Sequence, residues 1–367
     1  MKSERFAAGF HVGISPDDPE AIRIQFVEAP GIEMSAAMQA EVEKHFTRGE
    51  LRRVPADEVG GASYPARVSE SYATDLLGTL NVEAIRERGF RIVVDYGFSA
   101  ASFVLPLVLG PLGVEVVAAH AFPSDGDSGP HGLATSIGQA KRLVSAVGAD
   151  FGAVFDSAGE RIYLIDEQAL LLYLSLIASS GRTGKLAFPV TVTSQVDRLV
   201  EGTELEIIRT AASLQALTQA AAEDGVVFAG AMGGGYVFPK FLPGYDAVAS
   251  LANLLELLAP VQKPLSELVA ELPAPTLVHR QIPCPWGMKG LVMRVLNERF
   301  AGRNVDLTDG IKVFEDRGWA QALPDPYEPF IHLYAEGDTL EASEELAGEL
   351  RAIVEEIEQG EAVPART

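Results

Sequence analysis

The stretch "VFDSAGERIYLID", residues 154–166, carries acidic side chains where an apolar segment typical of a strand ends. Asp156 follows the apolar residues directly, and Glu160 comes four residues later. Carboxylates at the end of a strand often hold a cation, and Mg²⁺ prefers oxygen ligands. Asp156 and Glu160 could therefore bind a metal ion, with Arg161 beside them. The alternative is a solvated turn in which Asp156 forms an ion pair with Arg161.

The composition excludes several classes of function. The 367 residues carry a formal net charge of −22, and 47% of them are hydrophobic. This charge opposes nucleic-acid binding, which relies on Lys and Arg to displace counterions. No apolar run approaches the ~20 residues of a bilayer span, and one cysteine, Cys284, cannot form an internal disulfide framework. We expect a multi-domain cytoplasmic protein that binds neither nucleic acid nor membrane, with Cys284 as a small buried thiol.

Strand-like and helix-like segments alternate through the middle of the chain. Helical spacing predicts a helix at 35–48 behind an N-cap at Ser35, and another at 167–181. Residues 99–112 suit a crossover helix whose geometry Pro106 distorts. Runs that are apolar throughout are typical of strands covered on both faces; they occupy 90–98, 113–122, 149–156, 186–194 and 225–230. The pattern predicts an α/β fold with ligand sites at the carboxyl ends of strands.

The last part of the chain has a different pattern. Residues 310–325 predict a hairpin around "EDRG", followed by a strand at 329–337 and an amphipathic helix at 340–358. Hairpin, strand and helix form an α+β unit. Proline-rich or loop-like boundaries give four predicted domains: 1–65, 66–148, 149–270 and 276–360. Residues after 358 are expected to be a frayed tail.

The segment "AGFHVGISPDDPEAIRIQFVEAPGIEMS", residues 8–35, places Ser15 in a loop. It resembles, without gaps, the Ala-Gly-x-His-Val-Thr-Ala-Ser-His-Asn-Pro loop of the α-D-phosphohexomutases, the phosphomannomutase and phosphoglucomutase superfamily. The resemblance extends over essentially the whole chain. It implies a partial first domain, two α/β domains with mixed or parallel sheets, and a C-terminal α+β domain.

Ser15 falls on the family's phosphoserine position, where the resemblance implies a phosphoryl carrier. Its neighbours differ from the family, because Pro16 and Asp17 replace the His-Asn pair. A phosphoryl carrier needs donors and cations around it, since charge develops on the transferred oxygens. The acidic neighbours therefore favour a serine in a proline-flanked turn over a working phosphoserine.

The opening stretch resembles the family's Asp-Gly-Asp-x-Asp-Arg loop, whose three carboxylates bind Mg²⁺. Asp156 and Arg161 match this loop, and Glu160 stands for the third aspartate. Ala158 removes the middle ligand. The resemblance thus implies a Mg²⁺ site formed by Asp156 and Glu160, weakened by the loss of one carboxylate.

Residues 227–239, "VFAGAMGGGYVFP", resemble the family's Phe-Gly-Gly-Glu-x-Ser-Gly-His-x-x-Phe-Pro loop. In the family, the glutamate and serine of this loop bind sugar hydroxyls. Ala231 and Gly233 stand at those two positions, and Gly235 replaces the histidine. The glycines and the Phe-Pro pair match, so the backbone of the loop is expected to remain without its groups for sugar recognition.

Residues 322–336 resemble the family's phosphate loop, Arg-Pro-Ser-Gly-Thr-Glu-Pro. Three residues match this loop: Pro324, Glu328 and Pro329. The replaced positions have lost donors to an anion: Leu323 for the arginine, Asp325 for the serine, Pro326 for the glycine and Tyr327 for the threonine. Proline has no N–H and aspartate repels a dianion, so we expect this loop to have lost phosphate affinity.

Residues 278–296 resemble the phosphomutase-like half of actinobacterial proteins that carry a sugar-1-phosphate nucleotidyltransferase in front. Lys289 and Arg294 could contact anions there. The alternative is a core helix that presents Leu291, Val292 and Val295 inward and keeps both bases solvated. The resemblance implies a nucleotidyltransferase domain or subunit as a partner.

Three hypotheses follow. The first, which the altered loops favour, is a degenerate phosphohexomutase-fold module with a binding or regulatory role in sugar-nucleotide biosynthesis, of the mannose-1-phosphate guanylyltransferase type. Its ligand would be a hexose phosphate or a nucleotide sugar. The second is an active mutase that interconverts hexose 6-phosphate and hexose 1-phosphate, with Ser15 as carrier and Mg²⁺ on Asp156 and Glu160. The third is a surface used only for assembly.

Overall fold

The computed structural model describes two compact units. The described residues are 6–14, 22–28, 31–49, 53–122, 132–165 and 168–358. Unit 1 comprises the described residues up to Phe188 with Gly202–Ile208 and Leu214–Leu272. Unit 2 comprises Pro189–Glu201, Arg209–Ser213 and the described residues from Pro273 onward. Ser15 and the predicted tail lie outside the described residues, and the division into four domains stays a prediction.

Unit 1 begins with a three-stranded antiparallel sheet of order β1-β2-β3. The elements are β1 (Ala8–Ile14), β2 (Ile22–Glu28), β3 (Ile32–Glu33) and α1 (Ala36–Arg48). The predicted N-cap of α1 is confirmed, because the Met38 amide donates to Ser35 Oγ at 3.3 Å. Two apolar side chains of this helix are exposed, Met38 at 49% and Phe46 at 81%.

The second sheet of unit 1 has the order β5-β4-β6-β7. Its elements are α2 (Val68–Leu77), α3 (Val82–Arg88), β4 (Arg91–Asp95), α4 (Ala101–Leu109), β5 (Glu115–Ala119), α5 (Leu133–Val147), β6 (Phe151–Phe155) and β7 (Ile162–Leu164). β4 pairs in parallel with β5 and β6, and β7 runs antiparallel to β6. The crossover helix α4 is confirmed, with Pro106 inside it. Every residue of β6 is buried, as its apolar sequence predicts.

The third sheet has the order β11-β10-β8-β9. The elements are α6 (Ala169–Ser179), β8 (Gly184–Pro189), α7 (Gln195–Val200), β9 (Leu205–Thr210), α8 (Leu214–Ala221), β10 (Val226–Gly230), β11 (Tyr236–Val237), α9 (Ala247–Leu258) and α10 (Leu265–Ala270). β8 and β10 are parallel, and β11 is antiparallel to β10. These mixed sheets with their helices confirm the α/β class.

Unit 2 contains an antiparallel sheet of order β12-β16-β15-β14-β13. Its elements are β12 (Val278–Pro283), α11 (Trp286–Arg299), β13 (Val305–Asp306), β14 (Ile311–Glu315), β15 (Gly318–Pro324), β16 (Phe330–Gly337) and α12 (Leu340–Glu358). The predicted hairpin around "EDRG" is confirmed, since Glu315 pairs with Gly318. The buried Glu336 accepts from the Ser194 amide at 2.7 Å and from Trp319 Nε1 at 2.9 Å, which fixes residues 189–201 to this sheet.

Two predictions from composition concern buried and membrane-spanning residues. Cys284 is fully buried, as expected. In the part of the chain that the structure describes, no helix is long and apolar enough to cross a bilayer. The cytoplasmic location stays a prediction.

Candidate functional site

The turn after β6, residues 156–161, forms a short loop that we call the metal loop. The Asp156 amide donates to the Arg161 carbonyl at 3.2 Å, which closes the loop before β7. Asp156 Oδ1 accepts hydrogen bonds from the amides of Glu160 at 2.8 Å and Arg161 at 3.0 Å. The loop thus fixes one carboxylate oxygen of Asp156 against its own backbone.

The other carboxylate oxygen of Asp156, Oδ2, is buried and has no hydrogen-bond partner among the described residues. Burial raises the pKa of the Asp156 carboxyl, although the amides of Arg161 and Glu160 partly offset this effect. A buried carboxylate oxygen without a partner is costly, because its hydration is lost and nothing replaces it. A bound cation would supply the missing partner.

Part of the predicted magnesium ligand set is present in the metal loop. Within the described ranges, no three His, Cys, Asp or Glu side chains are grouped so that they could hold a metal ion. Ala158 is exposed in the loop and offers no side-chain oxygen. Asp156 Oδ2 and the Glu160 carboxylate remain, and Mg²⁺ can be held by one or two carboxylates together with substrate phosphate. The residues therefore fit a weak magnesium site that a bound phosphate would complete.

The loop at 231–235, which we call the sugar loop, lies against the metal loop. The Ile162 amide donates to the Gly234 carbonyl at 2.9 Å. Gly234 has a φ of +84°, and a Cβ there would lie 2.9 Å from the Ile162 carbonyl oxygen. Glycine allows this close approach of two backbones. Unit 1 thus brings five predicted site positions together in two adjacent loops: Asp156, Glu160, Arg161, Ala231 and Gly233.

The sugar loop has kept its backbone closure and lacks side-chain acceptors at the predicted positions. The Ala231 amide donates to the Gly235 carbonyl at 3.1 Å, which closes the loop. Ala231 is half-buried and Gly233 is exposed. Neither side chain can bind a sugar hydroxyl, so polar recognition of the sugar at these two positions is limited to backbone groups.

Tyr245, a residue that the sequence analysis did not single out, fills the space next to Gly235. A Cβ at Gly235 would lie 2.2 Å from Cε2 of the Tyr245 ring, so this position accepts only glycine while the ring is there. Burial raises the pKa of the Tyr245 phenol to about 12, while the Arg161 charge acts to lower it and the Glu160 charge to raise it. The phenol is therefore close enough to the metal loop for the charges of Arg161 and Glu160 to affect its pKa.

Helix α9 supports the metal loop through its first residues. The Ala247 amide donates to the Gly159 carbonyl at 3.1 Å. The preceding Asp246 is the N-cap of α9, because its Oδ1 accepts from the Ala249 amide at 2.8 Å. Its Oδ2 accepts from the Tyr72 hydroxyl at 2.6 Å. Tyr72 and Asp246 thus hold the helix end that contacts the metal loop, and sequence spacing gave no signal for this pair.

The phosphate loop of the resemblance, residues 322–329, connects β15 to β16 in unit 2. The register pairs Leu323 with His332. Asp325 Oδ1 accepts hydrogen bonds from the amides of Tyr327 at 2.7 Å and Glu328 at 2.8 Å. The Tyr327 side chain is 82% exposed. Two successive backbone donors of the loop are therefore occupied by the chain's own carboxylate.

The second oxygen of Asp325 also has a partner. Asp325 Oδ2 accepts from His332 Nε2 at 2.8 Å, and His332 Nδ1 lies 2.9 Å from His279 Nε2. Burial acts to raise the pKa of Asp325, but the hydrogen bonds from His332 and from the Tyr327 and Glu328 amides outweigh it and lower that pKa. Both ring nitrogens of His332 are therefore hydrogen-bonded, Nε2 to Asp325 and Nδ1 to His279.

Lys289 differs from its prediction as a solvated base. It is buried, with 8% exposure, and its ammonium lies 3.8 Å from the centroid of the Trp286 ring. Lys289 Nζ donates to the carbonyl of Asp325 at 2.6 Å and to that of Glu328. Helix α11, which contains Lys289, otherwise follows the prediction, because Val292 and Val295 are buried. Lys289 is turned inward because the loop carbonyls supply acceptors that the sequence does not reveal.

Ser15 lies outside the described residues, so its predicted role as phosphoryl carrier stays a prediction. The strand before it, β1, ends at Ile14. Pro16 and Asp17, the neighbours that favour a proline-flanked turn, also lie outside the described residues.

Comparisons with known proteins identify relatives over nearly the whole length. The family model described as "Phosphoglucomutase/phosphomannomutase, alpha/beta/alpha domain II" matches residues 70–169, and the corresponding domain III model matches 166–276. A protein of Methanopyrus kandleri named "Probable phosphoglucosamine mutase" is 29% identical over 375 residues, which cover 98% of this chain and 82% of that protein.

Solved structures share the fold. A phosphoglucomutase/phosphomannomutase family protein of Burkholderia thailandensis has a TM-score of 0.80 at 21% identity, covering 97% of this chain and 78% of that one. The N-acetylphosphoglucosamine mutase of Aspergillus fumigatus, solved with GlcNAc-6P and magnesium, has a TM-score of 0.62 at 12% identity, covering 95% and 88%. Together with the matched domains II and III, these relatives place the chain in the phosphoglucomutase/phosphomannomutase superfamily of α-D-phosphohexomutases.

Proposed function

We propose that this chain is a phosphohexomutase that interconverts hexose 6-phosphates and hexose 1-phosphates. The observation that carries the proposal is the Asp156 carboxylate in the loop that also holds Glu160 and Arg161: its buried Oδ2 has no hydrogen-bond partner within the described ranges of the chain. A fold that gains nothing from a cation would be more stable with this oxygen hydrogen-bonded or replaced. The altered loops favour an inactive module, but similarity to a probable phosphoglucosamine mutase over 98% of the chain supports the active alternative better.

Each site residue has a role in this proposal. Asp156 and Glu160 would hold Mg²⁺, which would neutralise the charge of the phosphoryl group when bound. Arg161 adds positive charge beside the transferred group, and Ser15 carries the phosphoryl group between the two hydroxyls of the sugar. Because Ala158 offers no ligand, we expect the activity to need more Mg²⁺ than a site with three carboxylates.

The proposed substrates are hexose and hexosamine monophosphates. The name of the Methanopyrus relative refers to a phosphoglucosamine, and the Aspergillus structure contains GlcNAc-6P and magnesium. Ala231 and Gly233 offer no side-chain acceptor for sugar hydroxyls. We therefore propose weak discrimination among gluco, manno and glucosamine phosphates, because discrimination depends on buried polar groups that a wrong substrate leaves unpaired.

A coupled assay tests the proposal. Glucose, mannose and glucosamine 1-phosphates are supplied with Mg²⁺ and the matching hexose bisphosphate, and formation of the 6-phosphate is followed. We expect slow turnover of more than one sugar, lost in Ser15→Ala and in the presence of a chelator. Absence of turnover with every sugar at high Mg²⁺, in protein shown to be folded, would reject the proposal.

A second candidate function is binding of a hexose phosphate without turnover. The absence of side-chain ligands at Ala158, Ala231 and Gly233 favours it, since these changes remove groups needed more for the transition state than for the fold. Calorimetry separates the two functions: heat with hexose phosphates or nucleotide sugars but no turnover supports binding alone. A nucleotidyltransferase partner remains a proposal based on residues 278–296; the relatives named above are mutases.

A further inference from the structure

The Asp325 carboxylate occupies the two amides that the phosphate loop would offer to a phosphate group. Its Oδ1 accepts from the Tyr327 amide at 2.7 Å and from the Glu328 amide at 2.8 Å. Successive backbone amides in a turn form a concave site suited to an anion. Here the anion is part of the chain. Pro326, between Asp325 and Tyr327, has no N–H to add.

We propose that Asp325 is an internal competitor for the substrate's phosphate and thereby sets how weakly this chain binds hexose phosphates. The proposal rests on the proposed function only for the identity of the substrate. A phosphate dianion can take the amides of Tyr327 and Glu328 only after the carboxylate has left them. Both anions cannot share these donors, because like charges at hydrogen-bond distance repel strongly.

The second oxygen of the Asp325 carboxylate is held by two hydrogen-bonded histidines. His332 Nε2 binds Asp325 Oδ2 at 2.8 Å, and His279 binds His332 at 2.9 Å. The His279 ring stacks on Tyr334, with 4.4 Å between centroids and planes 10° apart. Displacement of the carboxylate therefore costs more than two amide hydrogen bonds, since the bond from His332 is broken as well.

The loop that surrounds Asp325 is fixed independently of the carboxylate. The buried Lys289 ammonium donates to the carbonyls of Asp325 and Glu328 and lies over the Trp286 ring. These contacts use backbone carbonyls and would remain after a change of the Asp325 side chain. The Tyr327 and Glu328 amides would then stay in place beside a fixed positive charge, which is the arrangement that an anion needs.

Titration of the full chain with inorganic phosphate tests the proposal, followed by the NMR signals of the Tyr327 and Glu328 amides. In the native chain we expect these signals to respond only weakly. In Asp325→Ser we expect about tenfold tighter phosphate binding at the same two amides, corresponding to ~1.4 kcal/mol. Asp316→Ser is the matched control, because it removes the same charge from an exposed hairpin turn of unit 2. It should leave the phosphate response unchanged.

A second variant keeps the test decisive if the serine variant unfolds. Asp325→Asn keeps an oxygen for the amides but removes the charge, so we expect phosphate affinity between those of the native chain and Asp325→Ser. If no folded Asp325 variant binds phosphate more tightly than the native chain, the proposal is wrong. The readout is independent of turnover, so an inactive chain that gains phosphate affinity in Asp325→Ser would reject the mutase function and leave this inference standing.

Discussion

The metal loop and the phosphate loop begin with the same hydrogen-bonded turn and differ in the partner of one carboxylate oxygen. In both loops an aspartate follows a strand, and its Oδ1 accepts two backbone amides of the turn that it opens. Asp156 Oδ2 is buried without a partner among the described residues, whereas Asp325 Oδ2 accepts from His332. The pKa of Asp156 is raised, chiefly by burial, and that of Asp325 is lowered by hydrogen bonds that outweigh burial.

We infer from this comparison that the partner of the second oxygen governs what such a loop can bind. A carboxylate with an open oxygen can take a cation at little cost, since the oxygen has already lost its water. A carboxylate whose two oxygens are both satisfied neutralises the loop's donors and leaves nothing for a ligand. We therefore expect replacement of the aspartate by asparagine to change the free energy of unfolding in opposite directions in the two loops.

The largest expected effect is that of Asp156→Asn on turnover. If Asp156 binds Mg²⁺ as proposed, loss of the charge at Oδ2 weakens that site while the hydrogen bonds to Oδ1 can persist, so we expect about a hundredfold loss of kcat/KM. Asp75→Asn, an exposed acid on α2, is the matched control and should retain full activity. Equal activity of both variants would show that the open oxygen does not serve a cation.

Ala158→Asp should strengthen the metal loop. A third carboxylate adds an oxygen ligand to a site that has two, so we expect the Mg²⁺ concentration for half-maximal turnover to fall about tenfold. Calorimetry with Mg²⁺ in the presence of a hexose phosphate gives the dissociation constant of Mg²⁺, which should fall by a similar factor. An unchanged Mg²⁺ requirement would mean that position 158 does not face the ion.

The two aspartates should affect stability in opposite directions. The folded-state pKa of Asp156 lies above its ordinary value of 3.8, so its contribution is fully present below that pH and is lost as the pH rises through the raised pKa. The pKa of Asp325 lies below 3.8, so its contribution is present above that pH and is lost as the pH falls through the lowered value.

Urea unfolding without Mg²⁺ at about pH 7 measures how substitution of each aspartate changes the free energy of unfolding. We expect each change to be about 1 kcal/mol. Asp156→Asn should raise the free energy of unfolding, and Asp325→Asn should lower it. The difference between the variants should shrink toward about pH 3, where the native carboxyls take up protons. Changes of the same sign in both variants would refute the contrast between the loops.

His332→Phe should make the phosphate loop more like the metal loop. It removes the donor to Asp325 Oδ2 and keeps a ring of similar size, so the pKa of Asp325 should rise. The carboxylate should also leave the Tyr327 and Glu328 amides more easily, and we expect phosphate affinity to increase about threefold. An NMR titration of the Asp325 carboxyl measures the pKa, and a pKa that stays low would show that the amides alone hold the charge.

Much of the framework could be predicted from local sequence. The apolar runs before Asp156 and around 91–95 lie in parallel strands because such runs must be covered on both faces. The hairpin around "EDRG" follows from alternation on both sides of a turn. Position 156 at the end of a strand was therefore predictable, whereas its role as a metal ligand stays a prediction.

Elements defined by long-range pairing were missed. β9, Leu205–Thr210, has the sequence LEIIRT, which follows no regular alternation of polar and apolar residues. It becomes a strand by pairing with β8, from which helix α7 separates it in the chain. The sequence predicted that Asp325 would repel phosphate, but the hydrogen bonds to its oxygens depend on the register that sets Leu323 opposite His332. The inward turn of Lys289 and the position of the Tyr245 ring depend on packing in the same way.

The contact between Gly235 and the Tyr245 ring restricts how the sugar loop could have changed or could be changed back. A side chain at position 235 requires the ring to move or to be replaced, since its Cβ would lie 2.2 Å from Cε2. We therefore expect the two positions to be coupled, so that their substitution energies do not add. A histidine at 235 should be tolerated better in a variant with a smaller residue at 245 than in the native chain.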